Sequence, residues 1–333
     1  GVPHSRLGLS RMSILSVGVS RGSHVSTSRG TARVVCSAMR SDASRATVLI
    51  GDVHGQSKKL RHLFSRLTST LGRERFNEAR VVFLGDLCDR GPDTKDVLEF
   101  IASDLPEKYP EMEVRVLAGN HDFGLSTFLK IIPNTGGDVP DGWTNERRPE
   151  PPLWEDDVGD AHVGMHLQGR RWGASAAGMV NAFESESTFS SYRVKSPGDR
   201  NSLLAAMPAT HKALLASMEF VVEIEGVSDA HSPKIDTLIA VHAGLEFDVP
   251  VDEQLAELRA RTVDSKWIEA LQGRANVLKP HPELPENVLV VSGHHSFVSL
   301  EETRIIMDSC AGHNDRPLTA VVLPERTLVD DGF

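Results

Sequence analysis

The chain of 333 residues is 40% hydrophobic and 25% charged, the composition of a globular protein with a substantial core. Its net charge of -10 argues against broad binding to nucleic acid or to an anionic membrane, because both need a basic surface. The three cysteines, Cys36, Cys88 and Cys310, form no CxxC pair, which excludes a zinc–cysteine site, argues against a disulfide framework and fits a reducing compartment.

The first forty residues differ in composition from the rest of the chain. They contain no Asp, Glu or Lys, and they carry six arginines among nine serines. This composition is typical of a transit peptide, and VVCSAM at 34–39 resembles a plastid processing site. We expect residues 1–41 to be a plastid transit peptide or a disordered tail, with a cytoplasmic protein that starts at Met39 as the alternative.

Apolar runs and helical patterns alternate in the first part of the remaining chain. Strands are predicted at 46–50, 79–85 and 113–119. One helical pattern runs from Gln56 to a C-cap candidate at Gly72, and a second opens at Pro92. This alternation predicts an α/β fold with at least partly parallel pairing.

The second half of the chain is less regular before the strand signals return. The interval 123–237 is rich in Gly, Pro and charge, and we interpret it as an insertion with helical pieces, in which 211–224 runs from helix into strand. Further strands are predicted at 237–241, 287–291, 303–308 and 318–323. Residues 42–333 are therefore expected to form a single domain that carries an insertion.

Short polar loops follow several of these strands. In chain order they are GDVHG (51–55), GDLCDRGP (85–92), GNHDF (119–123), VHAGLE (241–246) and SGHHS (292–296). A single Gly-Asp pair is commonly only a turn. Because ligands bind beyond the carboxyl ends of strands in α/β sheets, five such loops together predict a shared site.

The residue types in these loops suit divalent metals. Carboxylate, imidazole and amide oxygen ligands favour Mn, Fe or Zn. Two metals about 3.5–4 Å apart, bridged by one Asp, can bind a phosphoryl group and activate water. An Arg can bind phosphate oxygens, and a His beside an Asp can act as a general acid. The loops offer as candidates Asp52, His54, Asp86, Asp89, Asn120, His121, Asp122, His242, His294 and His295.

The ordered motifs resemble the signature of the PPP-type phosphatases, within the metallophosphoesterase superfamily. In that pattern Cys88 stands in place of the usual Val, and Asp122 in place of the usual Glu. Those departures, with MHLQGRRW (165–172) and STFSSYRV (187–194), resemble the plant Rhizobiales-like phosphatases. The likeness covers roughly residues 46–330. It implies a calcineurin-like fold, in which two packed mixed β-sheets are flanked by helices and a dimetal site lies at the strand ends.

The resemblance also implies a role for each motif residue. The implied ligands are Asp52 and His54 for the first metal, Asp86 as the bridge, and Asn120, His242 and His294 for the second metal. His121, paired with Asp89, is implied to protonate the leaving oxygen, and Arg90 to bind the phosphate.

Other residues are candidates for supporting roles. His295 has no counterpart in the PPP pattern, and together with Asp122 it is expected to lie behind the ligands. A second phosphate-binding arginine is expected, with Arg274 as the candidate. Arg170 and Arg171 are further candidates, and a solvated or structural basic pair is the alternative.

The resemblance implies a phosphoprotein phosphatase that prefers phosphotyrosine and attacks with a metal-bridging water. Its partner is then a phosphoprotein or phosphopeptide, and no regulatory subunit can be named from the sequence. A small-molecule phosphoesterase, such as a dinucleoside-polyphosphate hydrolase, is the alternative. A non-catalytic scaffold is disfavoured, because the six implied ligands, His121 and Arg90 are all present.

Overall fold

The structure is a computed structural model that describes residues 45–129, 131, 172, 183–261 and 268–332. The predicted transit peptide and the pair Arg170 and Arg171 lie outside these residues. The strands are β1 (Thr47–Ile50), β2 (Arg80–Phe83), β3 (Glu113–Val116), β4 (Val222–Glu225), β5 (Thr237–Ala240), β6 (Val288–Ser292), β7 (Val298–Leu300), β8 (Arg304–Met307), β9 (Thr319–Leu323) and β10 (Thr327–Asp330).

Short helices connect these strands. They are α1 (Ser57–Leu71), α2 (Arg73–Asn77), α3 (Thr94–Glu99), α4 (Leu105–Lys108), α5 (Asn120–Leu129), α6 (Glu186–Ser191), α7 (Arg200–Ala206), α8 (Ala209–Ser217), α9 (Val251–Ala260) and α10 (Glu269–Gln272). A π-helical turn, Phe100–Asp104, joins α3 to α4. Across the described part of the chain, every helix is too short or too polar to cross a bilayer.

The strands form two five-stranded mixed sheets. The first sheet has the order β10-β9-β1-β2-β3, with β1, β2 and β3 parallel and β9 and β10 antiparallel. The second sheet has the order β4-β5-β6-β8-β7, with β5, β6 and β8 parallel and both edge strands antiparallel. The predicted α/β class with partly parallel pairing is confirmed.

Side-chain alternation along the strands builds a layered core. Leu49 of β1 belongs to a cluster of side chains from both sheets that includes Leu238 and Leu289. Its neighbour Ile50 points the other way and packs with helix residues such as Leu63. The two sheets therefore pack face to face with helices outside them, which confirms the predicted fold class.

Some element bounds differ from the sequence prediction. The helix expected to open at Pro92 begins at Thr94, because Gly91 and Asp93 donate their backbone N–H groups to the loop at His54 and Gly55. The short strands β7 and β10 were not predicted, since three or four residues give little periodic signal. The run from helix into strand over 211–224 is confirmed by α8 and β4.

Candidate metal centre

The predicted polar loops meet where the two sheets present the carboxyl ends of their parallel strands. Gly85, which follows β2, has φ +100°, and a Cβ there would lie 2.7 Å from Nδ1 of His242. That same Cβ would lie 2.5 Å from the backbone nitrogen of Gly119. Only glycine allows the loops after β2, β3 and β5 to approach this closely.

Two groups of side chains in the described residues are close enough to hold metal ions. His54, Asp86 and His121 form one group, and Asp86, His242 and His294 form the other, with ligand atoms within 4.8 Å of one another. Oδ2 of Asp86 lies 3.5 Å from Nε2 of His54, and its Oδ1 lies 3.3 Å from Nε2 of His242. Asp86 thus lies between the groups, the position that the predicted bridging role requires.

Unpaired buried atoms show that this site fits a cation. Nε2 of His242 and Oδ1 of Asn120 are buried without a hydrogen-bond partner among the described residues. Nδ1 of His242 donates to the carbonyl of Leu84 at 2.6 Å, so its Nε2 carries a lone pair. Nδ1 of His54 donates to the carbonyl of Cys88 at 3.0 Å with the same consequence. Buried acceptors of this kind are satisfied by a bound divalent ion.

The electrostatics of the site favour the metal-binding protonation states of Asp86 and His54. Burial by itself raises the pKa of Asp86, but the imidazoles of His242, His121 and His54 bring it well below its usual value. Burial lowers the pKa of His54 well below its usual value, and Arg90 lowers it further. A deprotonated carboxylate and a neutral imidazole are the forms that bind metal.

Asp52 lies beside these two groups, although within the described chain it belongs to neither. Its oxygens Oδ1 and Oδ2 accept from the backbone N–H of His294 at 3.2 and 3.1 Å. A Cβ on Gly293 would lie 2.0 Å from Oδ1 of Asp52, so this approach requires glycine. Burial, then the nearby Asp308 and Asp86, raise the pKa of Asp52 well above its usual value. Its assignment to the first metal stays a prediction.

His121 and Asp89 form the pair that the sequence predicted. Nδ1 of His121 lies 2.8 Å from Oδ2 of Asp89, and both side chains are buried. Burial lowers the pKa of His121 to about 3 and raises the pKa of Asp89 to about 8. Both shifts favour an uncharged pair that holds one transferable proton near neutral pH.

Arg90 lies across the two imidazoles of the first group. Its Nη1 is 2.6 Å from Nε2 of His54, and its Nη2 is 3.3 Å from Nε2 of His121. A Cβ on Gly312 would lie 2.9 Å from Cδ of Arg90, so the loop after β8 packs closely against the aliphatic part of this side chain. Because Nε2 of His54 is also a candidate metal-binding atom, Arg90 and a metal compete for the same lone pair.

The other candidate residues support the loops. Asp122 accepts from the backbone N–H groups of Leu87 and Gly119 at 2.9 and 3.0 Å. His295 is bonded through Nε2 to the carbonyl of Ala243 at 2.7 Å. Arg274 donates from Nη1 to the carbonyl of His294 at 2.5 Å, which places its guanidinium against the metal-site loop.

The sequence did not identify two side chains that contact Asp89. The indole Nε1–H of Trp172 donates to Oδ2 at 2.7 Å, and the hydroxyl of Thr188 donates to Oδ1 at 2.6 Å. Both residues belong to the segments 165–172 and 187–194, which had served only to establish the resemblance. The two segments were noticed in the sequence, but no short-range pattern in the chain shows that they contact Asp89.

Comparison with known proteins adds a family match. A family model described as calcineurin-like phosphoesterase matches residues 46–193. A symmetrical bis(5'-nucleosyl)-tetraphosphatase of Proteus mirabilis is 37% identical over 90 residues, which cover 27% of this chain and 29% of that protein. The asymmetrical enzyme PrpE of Bacillus subtilis is 38% identical over 88 residues, or 26% of this chain and 34% of that protein. The chain thus spans about a third of the length of these curated relatives.

Solved structures with low sequence identity were also found. A putative diadenosine tetraphosphatase is 16% identical, with 87% of this chain and 94% of that chain covered, at a TM-score of 0.44. A cold-active protein-tyrosine phosphatase of a Shewanella species is 16% identical, with 86% and 80% covered, at a TM-score of 0.42.

Proposed function

We propose that this chain, in which residues 46–193 match a calcineurin-like phosphoesterase model, is a metal-dependent phosphomonoesterase that prefers phosphotyrosine in proteins or peptides. The observation that carries the proposal is the position of Asp86. Each of its carboxylate oxygens faces a different imidazole, with Arg90 beside one of the two groups. A shared carboxylate with a phosphate-binding arginine suits a two-metal phosphoesterase.

The side chains around Asp86 divide the work of binding and of proton transfer between them. Two divalent ions, when bound by the ligand set around Asp86, supply Lewis acidity and an acidified water. Arg90 donates N–H groups to the phosphate oxygens. His121 gives a proton to the leaving oxygen, and Asp89 orients its imidazole.

The depth of the site supports an aryl phosphate as substrate. The side chains of His54, Asp86 and His121 are almost fully buried. A tyrosyl side chain carries its phosphate farther from the peptide backbone than a seryl side chain does, so it reaches a recessed site more readily. Its leaving group is a phenol of pKa about 10, which needs less protonation than an alkyl alcohol.

A dinucleoside tetraphosphate is the second candidate substrate. The names of the curated relatives favour it, since both are bis(5'-nucleosyl)-tetraphosphatases. Those matches cover about 90 residues, so they support the metal chemistry more directly than they support a nucleotide pocket.

The test is hydrolysis by the purified full chain with manganese and with chelator. Phosphotyrosine peptide, phosphoserine peptide and diadenosine tetraphosphate are compared at equal concentration. We expect manganese-dependent release, fastest from the phosphotyrosine peptide. If no substrate is hydrolysed in a metal-dependent way, the proposal is wrong. If diadenosine tetraphosphate is hydrolysed fastest, a dinucleoside tetraphosphate replaces phosphotyrosine as the proposed substrate.

One variant distinguishes the role of His121 as a general acid from a role as a metal ligand. His121→Ala is expected to lower turnover while the metal content per chain stays at the wild-type value. Because His121 also belongs to one candidate ligand group, a loss of metal from this variant would reassign it as a ligand.

A further inference from the structure

The carboxylate of Asp89 is fully buried, and both of its oxygens accept hydrogen bonds from side chains. Oδ2 lies 2.8 Å from Nδ1 of His121 and 2.7 Å from Nε1 of Trp172. Oδ1 accepts from the hydroxyl of Thr188 at 2.6 Å. Trp172 and Thr188 come from the interval after α5, whereas His121 comes from the first turn of α5. Two segments far apart in the chain therefore converge on one carboxylate.

The indole of Trp172 is fixed by packing. It is 1% exposed, and its ring centroid lies 5.1 Å from that of Phe128 and 5.4 Å from that of Phe189. A Cβ on Gly124 would lie 3.0 Å from Cδ1 of Trp172, so α5 fits closely against the indole. Because the ring cannot turn, the direction of its N–H bond toward Asp89 is fixed.

Thr188 is fixed by a second set of hydrogen bonds. Its Oγ1 lies 3.0 Å from Oγ1 of Thr94 at the start of α3. It also accepts from the backbone N–H of Asp89 at 3.2 Å. Thr188 therefore contacts both the side chain and the backbone of Asp89.

These contacts determine the orientation of the imidazole. His121 packs edge-on against Phe183, with ring centroids 5.0 Å apart, and its Nε2 faces Nη2 of Arg90 at 3.3 Å. The direction of the Nδ1–H bond depends on the position of the carboxylate oxygen that accepts it, 2.8 Å away. A carboxylate held only by His121 is free to rotate about its Cβ–Cγ bond, which broadens the range of positions that Nε2 can take.

We propose that Trp172 and Thr188 are positioning residues: they hold the carboxylate of Asp89 so that His121 presents its proton to the leaving oxygen. This inference rests on the proposed function and adds the residues that make the acid effective. General acids contribute about 10²–10⁴-fold, and a small misplacement removes much of that contribution.

The proposed step predicts a dependence on the leaving group. The water oxygen bonds to phosphorus as the bond from phosphorus to the leaving oxygen breaks, and the proton of the His121–Asp89 pair passes to that oxygen. One hydrogen of the water stays on the phosphate, and the other passes to solvent, from which the pair regains its proton. Phenyl phosphate releases a weakly acidic phenol that requires the proton. 2,4-Dinitrophenyl phosphate releases a much more acidic phenol that departs as the anion, so its hydrolysis does not depend on the acid.

The experiment compares these two esters in Trp172→Phe, Thr188→Val and a control, Tyr192→Phe, with manganese present. Tyr192 lies in the same segment as Thr188, but its hydroxyl is hydrogen-bonded to Nδ1 of His211 at 2.7 Å and not to Asp89. For Trp172→Phe and Thr188→Val we expect kcat to fall about 30-fold on phenyl phosphate and less than about threefold on the dinitrophenyl ester. The control is expected to change both rates by the same factor.

Each other outcome has a defined meaning. Equal losses on both esters, or no loss on either, in the two test variants overturn the inference while the proposed function stands. Wild-type protein that hydrolyses neither ester overturns the proposed function and this inference with it.

A measurement without turnover tests the contact itself. In ¹⁵N-labelled protein, the indole N–H resonance that disappears in Trp172→Phe belongs to Trp172. We expect Asp89→Asn to shift that resonance and to speed its exchange with solvent by at least about tenfold. An unchanged resonance and exchange rate overturn the inference, whatever the kinetics.

Discussion

The loops of the two sheets are held in opposite ways. On the first sheet, carboxylates accept backbone N–H groups: Asp122 accepts from Leu87 and Gly119, and Asp86 accepts from His121 at 3.0 Å. On the second sheet, a buried cation donates to oxygen atoms. Arg304 is 2% exposed, and its four hydrogen bonds go to Ala243, Leu278, Ile305 and Ser292.

A second cation, Lys59, holds the loop after β8 in the same manner. Nζ of Lys59 donates to the carbonyls of Ala311, His313 and Arg316 at 2.9, 2.6 and 2.7 Å. The division has exceptions, since Asp308 accepts from the backbone N–H of Ser296 at 2.6 Å, and Asp52 accepts from the backbone N–H of His294. The anionic supports of the first sheet, Asp86 and Asp122, therefore lie inside the motifs, whereas Lys59 lies far along the chain from the loop that it holds.

The substitution with the largest expected effect is at Asp86, where the ligand groups of the two sheets meet. Asp86→Asn removes a charge that faces both ligand groups, so we expect turnover to fall by at least about 10³-fold and the metal content to drop. Elemental analysis and phosphatase assays measure both. Asp96→Asn is the matched control, because Asp96 forms a half-exposed ion pair with Arg61. Retention of both metals and of wild-type turnover would remove Asp86 from the bridging position.

Arg304→Met tests the cationic side. It leaves the carbonyl of Ala243 and the hydroxyl of Ser292 without this donor, so we expect the free energy of unfolding to fall by about 3 kcal/mol. Urea denaturation measures the change. Arg259→Met, at an exposed pair with Glu223, is expected to cost less than about 1 kcal/mol. Equal costs at the two positions would contradict the special role of the buried arginine.

Lys59→Met tests the loop after β8. Three carbonyls lose their donor, and we expect a loss of about 2 kcal/mol together with a higher KM, since Gly312 packs on Arg90. The neighbouring Lys58 is exposed on the same helix, which makes Lys58→Met the control. A KM equal to that of the control would show that this loop does not affect the site.

Asp122→Asn has the smallest expected effect. Asparagine offers one acceptor oxygen where Asp122 uses two, so one of the N–H groups of Leu87 and Gly119 loses its partner. We expect unfolding to require about 1 kcal/mol less, measured in urea as for Arg304. A cost above that of Arg304→Met would reverse the comparison and make the anionic support the stronger one.

Much of the fold was predictable, because its signals are local. The apolar run before Gly51 predicted β1, and the helical spacing up to Gly72 predicted α1. The start of α3 was misplaced because pairing between Gly91 and His54 extends the loop, a contact between segments that no local pattern reveals. The predicted start of this helix was wrong because tertiary hydrogen bonds outweighed the local helix propensity.

The sequence by itself determined which chemistry was available. Alternation along each strand and a polar loop after it fixed the side chains that could reach an edge, such as His54 and His121, because those patterns act over a few residues.

Only the tertiary structure decided how those side chains are arranged. It placed Asp86 between two imidazole groups and brought Trp172 and Thr188 onto Asp89. It also set Lys59 under a loop some 250 residues farther along the chain. Such contacts depend on how the sheets and loops pack in space, and the spacing of residues along the chain does not predict that packing.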